Sequence, residues 1–221
     1  MIPRTLEPEV MDTEEDADDY DAMDHSKVNL AFVEDWLQLN PERDEGEILD
    51  VGTGTALIPI ELCRQSSLAQ VTAIDLGESM LLRAAENVQR AGLSERIRLL
   101  WRDAKELTFA DGEFSGVISN SIIHHIPEPI SCLVEMWRVL GASGMLFVRD
   151  LVRPTSIEEI ERLVQFYAGR ESPRQQQLFR QSFHAALTIS EITELAKKAG
   201  IAKCEVTLTS DRHWTLVGRK E

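Results

Sequence analysis

Ile48-Leu49-Asp50-Val51-Gly52-Thr53-Gly54-Thr55-Ala56-Leu57-Ile58-Pro59-Ile60 decides the fold. The first four residues are a short apolar run with one acid, which reads as a buried strand. Gly52 and Gly54 follow as a turn, because glycine takes positive φ and lets a ligand approach bare backbone. A helix then runs from Ala56 to Arg64, with Pro59 tolerated because it falls in the first turn. The turn is not G-x-G-x-x-G, since position 57 is leucine, and it lacks the Gly-Lys-Ser/Thr of a phosphate loop.

Working outward, the same strand–helix alternation repeats. Val71 to Asp75 is a second strand, and Ser79 to Ala91 a helix closed by Gly92. Ile97 to Trp101 and Gly116 to Asn120 are further strands. Pro129 to Leu140 is a helix, and Met145 to Arg149 a fifth strand. This pitch predicts parallel βαβ units, an α/β fold with helices on both faces of the sheet. Residues 153–187 are helical in composition and interrupt the alternation. Thr188 with Glu191 forms a capping box for a helix ending at Gly200. Residues 205–208 and 214–217 alternate as an antiparallel edge pair. Upstream, Val28 to Leu37 supplies the apolar stripe of one more helix.

The chain has 221 residues, 43% hydrophobic, with a formal net charge of −15. That length fits a single domain of roughly 150–250 residues. We assign residues 23–221 to it, and residues 1–22 to a mobile acidic tail in which Arg4 is the only cation. No apolar run reaches the ~20 residues of a membrane span, and the N-terminus lacks the layout of a signal peptide. Cys63, Cys132 and Cys204 have no metal-ligand spacing, so free thiols in a cytoplasmic protein are expected. The negative charge argues against a nucleic-acid partner and for a small molecule.

Asp75 ends the second strand at about the spacing, ~20 residues on from the glycine turn, at which an acid reaches a ribose diol. A carboxylate accepts both hydroxyl hydrogens. The alternative is a tight βα turn with Asp75 capping the next helix. Taken together, the two features favour a nucleoside site.

Residues 48–63, Ala73 to Leu81 and Arg102 to Ile126 resemble the class I S-adenosylmethionine-dependent methyltransferases, and are most similar to the small-molecule branch with the ubiquinone and menaquinone C-methyltransferases. The resemblance covers about residues 45 to 150. It implies a Rossmann-like seven-stranded sheet of order 3-2-1-4-5-7-6, with the seventh strand antiparallel. It also implies S-adenosylmethionine as cofactor. Asp50, Gly52, Thr53 and Gly54 would face its methionine part, and Asp75 its ribose. Leu76 and Met80 would lie against the adenosine, Asp103 and Ala104 at the adenine, and Asn120 near the methyl. Ala56 replaces the third glycine of many members, which implies a tighter site. Tyr20 and His25 lie where an N-terminal segment would fold over the cofactor, but for Tyr20 a place in the mobile tail is the first expectation.

The donor carries its own activated methyl, so no metal or protein nucleophile is required. His124 and His125 follow the fourth strand and are the candidates for removing a proton from the acceptor; one of them capping the loop is the alternative. Arg149, Asp150 and His184 are candidate acceptor-binding residues, with Arg153, Arg174 and Arg180 in the helical insertion able to meet an anion. Ser119-Asn120-Ser121-Ile122 lacks the Asn/Asp-Pro-Pro-aromatic signature of amine methylation on bases. Two competing readings are a non-catalytic module that only binds the cofactor, and an NAD(P)-dependent oxidoreductase. The missing third glycine and the absence of a Tyr-x-x-x-Lys pair count against the latter.

Overall fold

Alternation along the central strands assigns one set of side chains to each face of the sheet. In β1 (Glu47–Val51), Ile48 packs with one apolar cluster while Leu49 and Val51 pack with the other. In β5 (Leu140–Leu151), Met145 and Phe147 face the first cluster, and Leu146 and Val148 the second. Both faces are therefore buried, as a parallel sheet requires. The computed structural model describes residues 2–10, 12–40, 46–201 and 203–221.

The first face is covered by α2 (Ser26–Leu39), α3 (Leu57–Gln65) and α4 (Glu78–Ala91), the second by α5 (Ile130–Val139) and α8 (Ile189–Lys198). The other strands are β2 (Gln70–Asp75), β3 (Ile97–Trp101), β4 (Phe114–Asn120), β6 (Cys204–Leu208) and β7 (His213–Arg219). The sheet order is β3-β2-β1-β4-β5-β7-β6, as the resemblance implied, and β7 runs antiparallel to both neighbours. The carboxyl ends of β1, β2, β4 and β5 thus share one edge, where ligands of open α/β sheets bind. Gly116 in β4 is required by packing: a Cβ there would meet the Trp36 ring at 2.5 Å.

Residues 153–187 are helical as expected, forming α6 (Ile157–Ala168) and α7 (Pro173–Ala185) around a third apolar cluster. Thr188 and Glu191 close the expected capping box.

The acidic head differs from the mobile tail expected. Glu14–Ala22 forms helix α1, with Thr13 accepting from the Asp16 amide as its cap. Cations on the body meet its acids: Arg83 pairs with Asp18, Arg174 with Asp16 and Asp19, and Asn87 donates to Asp21. Ahead of it a strap crosses the carboxyl edge. There Arg4 donates to the carbonyls of Ala185, His124 and Ile126, and the Thr5 amide donates to the His184 carbonyl. Met1 and Met11 lie outside the described residues.

Candidate functional site

The glycine turn after β1 is tied to the end of β2. The Gly52 and Thr53 amides both donate to the Ile74 carbonyl at 2.9 Å. Asp75 Oδ2 accepts from the Gly54 amide at 2.8 Å, and Oδ1 from the Gly77 amide at 2.9 Å. Each oxygen keeps a second lone pair for a ligand. Gly52 has φ +76°, and a Cβ on it would sit 2.0 Å from Ile122 Cγ2. We expect Gly52→Ala to cost about 2 kcal/mol through backbone strain and overpacking, read as a lowered urea midpoint at unchanged slope.

Two non-glycine residues flanking this edge are left-handed, Ala56 at φ 62° and Ser121 at φ 59°. Such strain concentrates where a site over-determines the backbone. Ala56 is also wholly buried, so the turn is tight, as its place at the third-glycine position implied.

Asp50 and Asn120 lie beside the turn. Asp50 is buried and its Oδ2 has no hydrogen-bond partner, and neither has Asn120 Oδ1. Burial pushes the Asp50 carboxyl up to about 7, and Asp75 is also held above its usual range by burial. Tyr20 from α1 covers Gly54, its ring 3.5 Å from where a Cβ would stand, and stacks on His25 at 4.6 Å. Burial next to Asp75 and Asp50 raises its hydroxyl to about 12. The hollow among Tyr20, Asp50, Gly52, Thr53 and Asn120 encloses only about 10 Å³.

These residues fit the cofactor the resemblance implies. A buried carboxylate oxygen and a buried amide oxygen, both unpartnered, await a cationic or hydrogen-bond-donating ligand. The hollow is smaller than a nucleoside, and in this conformation Tyr20 closes it over Gly54. Met80 is buried and Leu76 half-buried beside the end of β2. Asp103 caps its own turn through the Lys105 amide at 2.8 Å and pairs with Lys105 Nζ at 3.0 Å, and Ala104 packs on the core. A larger cleft of about 470 Å³, lined by Met23, His25, Leu57, Arg64 and Arg90, shares only His25 with the residues expected at the site.

The acceptor side is built around the end of β4. Asp150 accepts from His124 Nδ1 at 2.5 Å and from the His124 amide at 3.1 Å. Burial alone would depress His124, but the adjoining Asp150 and Glu7 charges outweigh it and hold the ring above its ordinary value. His125 stacks against it with centroids 4.2 Å apart, and is pushed down to about 3 by burial and then by the His124 charge. Glu7 from the strap covers both rings, and burial raises its carboxyl. The proton-accepting role expected of either histidine needs an open path, which Glu7 closes in this conformation.

One expected residue goes elsewhere. Arg149 does not enter the crevice. It is buried on the opposite face, donating to Thr215 Oγ1 at 2.9 Å and Asp35 at 2.6 Å, and lies over the Phe32 and Phe147 rings. The His184 carbonyl accepts from the Thr5 amide of the strap. Of the arginines in the insertion, Arg153 is buried against the Ala186 carbonyl and Glu191, and Arg180 pairs with Glu161. Sequence reasoning missed Glu7. Its signal was weak: the flanking Leu6, Pro8 and Val10 hint at an ordered strap within an acidic run.

Comparison with known proteins agrees with this fold. A family described as a methyltransferase domain matches residues 49–148. A demethylmenaquinone methyltransferase of Bacteroides fragilis is 32% identical over 140 residues, covering 61% of this chain and 56% of that protein. The chain spans about half the length of the curated relatives it matches. Among solved structures, a putative S-adenosyl-L-methionine-dependent methyltransferase of Methanococcus maripaludis superposes with a TM-score of 0.71 at 18% identity, covering 98% of each chain. The phosphoethanolamine N-methyltransferase 2 of Haemonchus contortus, in complex with S-adenosyl-L-methionine, gives 0.72 at 18% identity, covering 94% of this chain and 57% of that one.

Proposed function

We propose that the chain, whose residues 49–148 match a methyltransferase domain, is a class I S-adenosylmethionine-dependent methyltransferase that transfers a methyl group to a small-molecule acceptor by direct in-line displacement. The observation that carries this is the carboxyl edge itself. There Asp75 is fixed by two backbone amides, and Asp50 and Asn120 hold unpartnered buried oxygens. S-adenosylmethionine supplies the activated methyl, on a positively charged sulfur.

The chain's own residues bind and align. Asp75 would hold the ribose hydroxyls, Leu76 and Met80 the adenosine, and Asp103 with Ala104 the adenine. Asp50 with Gly52, Thr53 and Gly54 would receive the amino-acid end, and Asn120 would line the methyl. Alignment of this kind replaces chemical activation by the protein. α7 and the strap would roof the acceptor side, with Asp150 as its acid, a reading that the contact of Asp150 with His124 supports. The net charge of −15 supports a small-molecule acceptor over a nucleic acid. The three cysteines stand as free thiols, which supports a reducing compartment such as the cytoplasm. Among the described residues, no helix is long and apolar enough to cross a membrane.

Titration calorimetry with S-adenosylhomocysteine tests the reading. One site per chain is expected, with no heat from NADH. Absence of heat with S-adenosylhomocysteine, or preferential binding of NADH, overturns it.

A further inference from the structure

Three ligand-type atoms meet above the end of β4: His124 Nε2, His125 Nδ1 and Glu7 Oε1, all within 4.8 Å of one another. Glu7 Oε1 lies 3.4 Å from the first and 3.2 Å from the second. With Asp150 accepting the hydrogen bond from His124 Nδ1, Nε2 is the ring atom left to face Glu7, and it offers a lone pair there once a metal displaces its proton. His125 Nδ1 and Glu7 Oε1 are both buried with no hydrogen-bond partner. Lone pairs facing one another away from water repel, and each orphaned atom costs free energy, unless a cation sits among them. A single proton on His124 Nε2 would answer one of these contacts and leave His125 Nδ1 alone.

Donors ~2.0–2.1 Å from a tetrahedral zinc stand about 3.3–3.4 Å apart, close to the two Glu7–histidine separations, and the two ring nitrogens lie within 4.8 Å of each other. The outer partners match as well. Asp150 orients His124, the Ser182 hydroxyl donates to Glu7 Oε2 at 3.2 Å, and the Pro8 carbonyl lies within hydrogen-bonding reach of the His125 ring. Such carboxylate and carbonyl partners fix the tautomer and direction of metal-binding histidines. Two imidazoles and one carboxylate select zinc and its late first-row neighbours over magnesium or calcium, which take oxygen ligands.

We propose that Glu7, His124 and His125 form a binding site for one zinc-like divalent ion, which pins the N-terminal strap to the carboxyl edge of the sheet and leaves one coordination position open. No sequence spacing marks the site, because Glu7 is remote from the histidine pair along the chain. The site does not depend on the methyl-transfer reading.

The test uses the untagged full chain, stripped with a chelator and titrated with Zn²⁺ by calorimetry and with Co²⁺ by visible absorption. One ion per chain and the intense bands of tetrahedral cobalt are expected. Glu7→Gln and His125→Ala should each weaken binding at least about 10-fold, and Asp150→Asn about 10- to 100-fold through the orientation of His124. Circular dichroism checks each variant's folding. Should His125→Ala not fold, Glu7→Gln on the strap decides alone. No stoichiometric binding to the wild type, octahedral cobalt spectra, or affinity unchanged in Glu7→Gln overturns the proposal. S-adenosylhomocysteine binding, measured on the same stripped protein, reports separately on the cofactor reading.

Discussion

Asp75→Ala is expected to weaken S-adenosylhomocysteine binding at least about 100-fold while the protein stays folded. Both carboxylate oxygens sit at the end of β2 and are aimed by the Gly54 and Gly77 amides at 2.8 and 2.9 Å. Their remaining lone pairs are what a ribose diol needs. Hydrogen bonds to a charged acceptor contribute about 1.5–3 kcal/mol each. Loss of two, discounted because they act together, still exceeds the ~2.7 kcal/mol that corresponds to 100-fold. Alanine also frees the Gly54 amide, which loosens the turn that receives the amino-acid end of the cofactor. The fold has less to lose, because burial already holds Asp75 above its usual carboxylate range, so its charge is a cost to the free protein. Calorimetry on Asp75→Ala and Asp75→Asn, beside thermal melts, separates the two effects. A loss of less than about fivefold in affinity would remove Asp75 from the cofactor site.

The strands were legible because burial on two faces leaves short apolar runs, and because glycine turns punctuate them. The edge positions were legible for the same reason: Asp75 and Asn120 end their strands, and Asp50 stands one residue before the end of β1. Arg149 was misplaced through parity. It and Asp150 are adjacent in β5, so they point to opposite faces, and only one could join His124. Arg149 shares the face of Met145 and Phe147, and went to Phe32 and Asp35. The acidic head was misjudged because like charges were weighed without their counter-charges. Arg83 on α4 and Arg174 on α7 are far along the chain, and no local pattern pairs them with Asp18 or Asp16. Glu7 belongs to the same class of contact, set by tertiary structure alone.

Asp50→Asn should make the free protein more stable at alkaline pH and less able to bind its cofactor. Asp50 is buried, and its carboxyl titrates near 7 in the folded chain against 3.8 as a free side chain. A folded value raised above the unfolded one adds stability that is complete below pH ~4 and is lost as pH climbs through ~7. The shift corresponds to about 4 kcal/mol of charge burial at pH 8. Asparagine removes that penalty but leaves a buried amide short of an acceptor, at about 1–3 kcal/mol. The variant should therefore be less stable than the wild type at pH 4.5 and more stable at pH 8, with the difference swinging by several kcal/mol between them. Glu7, also held high, titrates in both proteins and largely cancels in that difference, whereas Asp75, whose charge helps to raise Asp50, contributes to it. Urea unfolding at the two pH values measures it, and parallel curves with no crossing would mean that Asp50 is not strained. The wild type keeps the acid because a cationic ligand beside it favours the charged form. Wild-type affinity for S-adenosylhomocysteine should accordingly rise as pH passes through about 7, and that rise should vanish in Asp50→Asn.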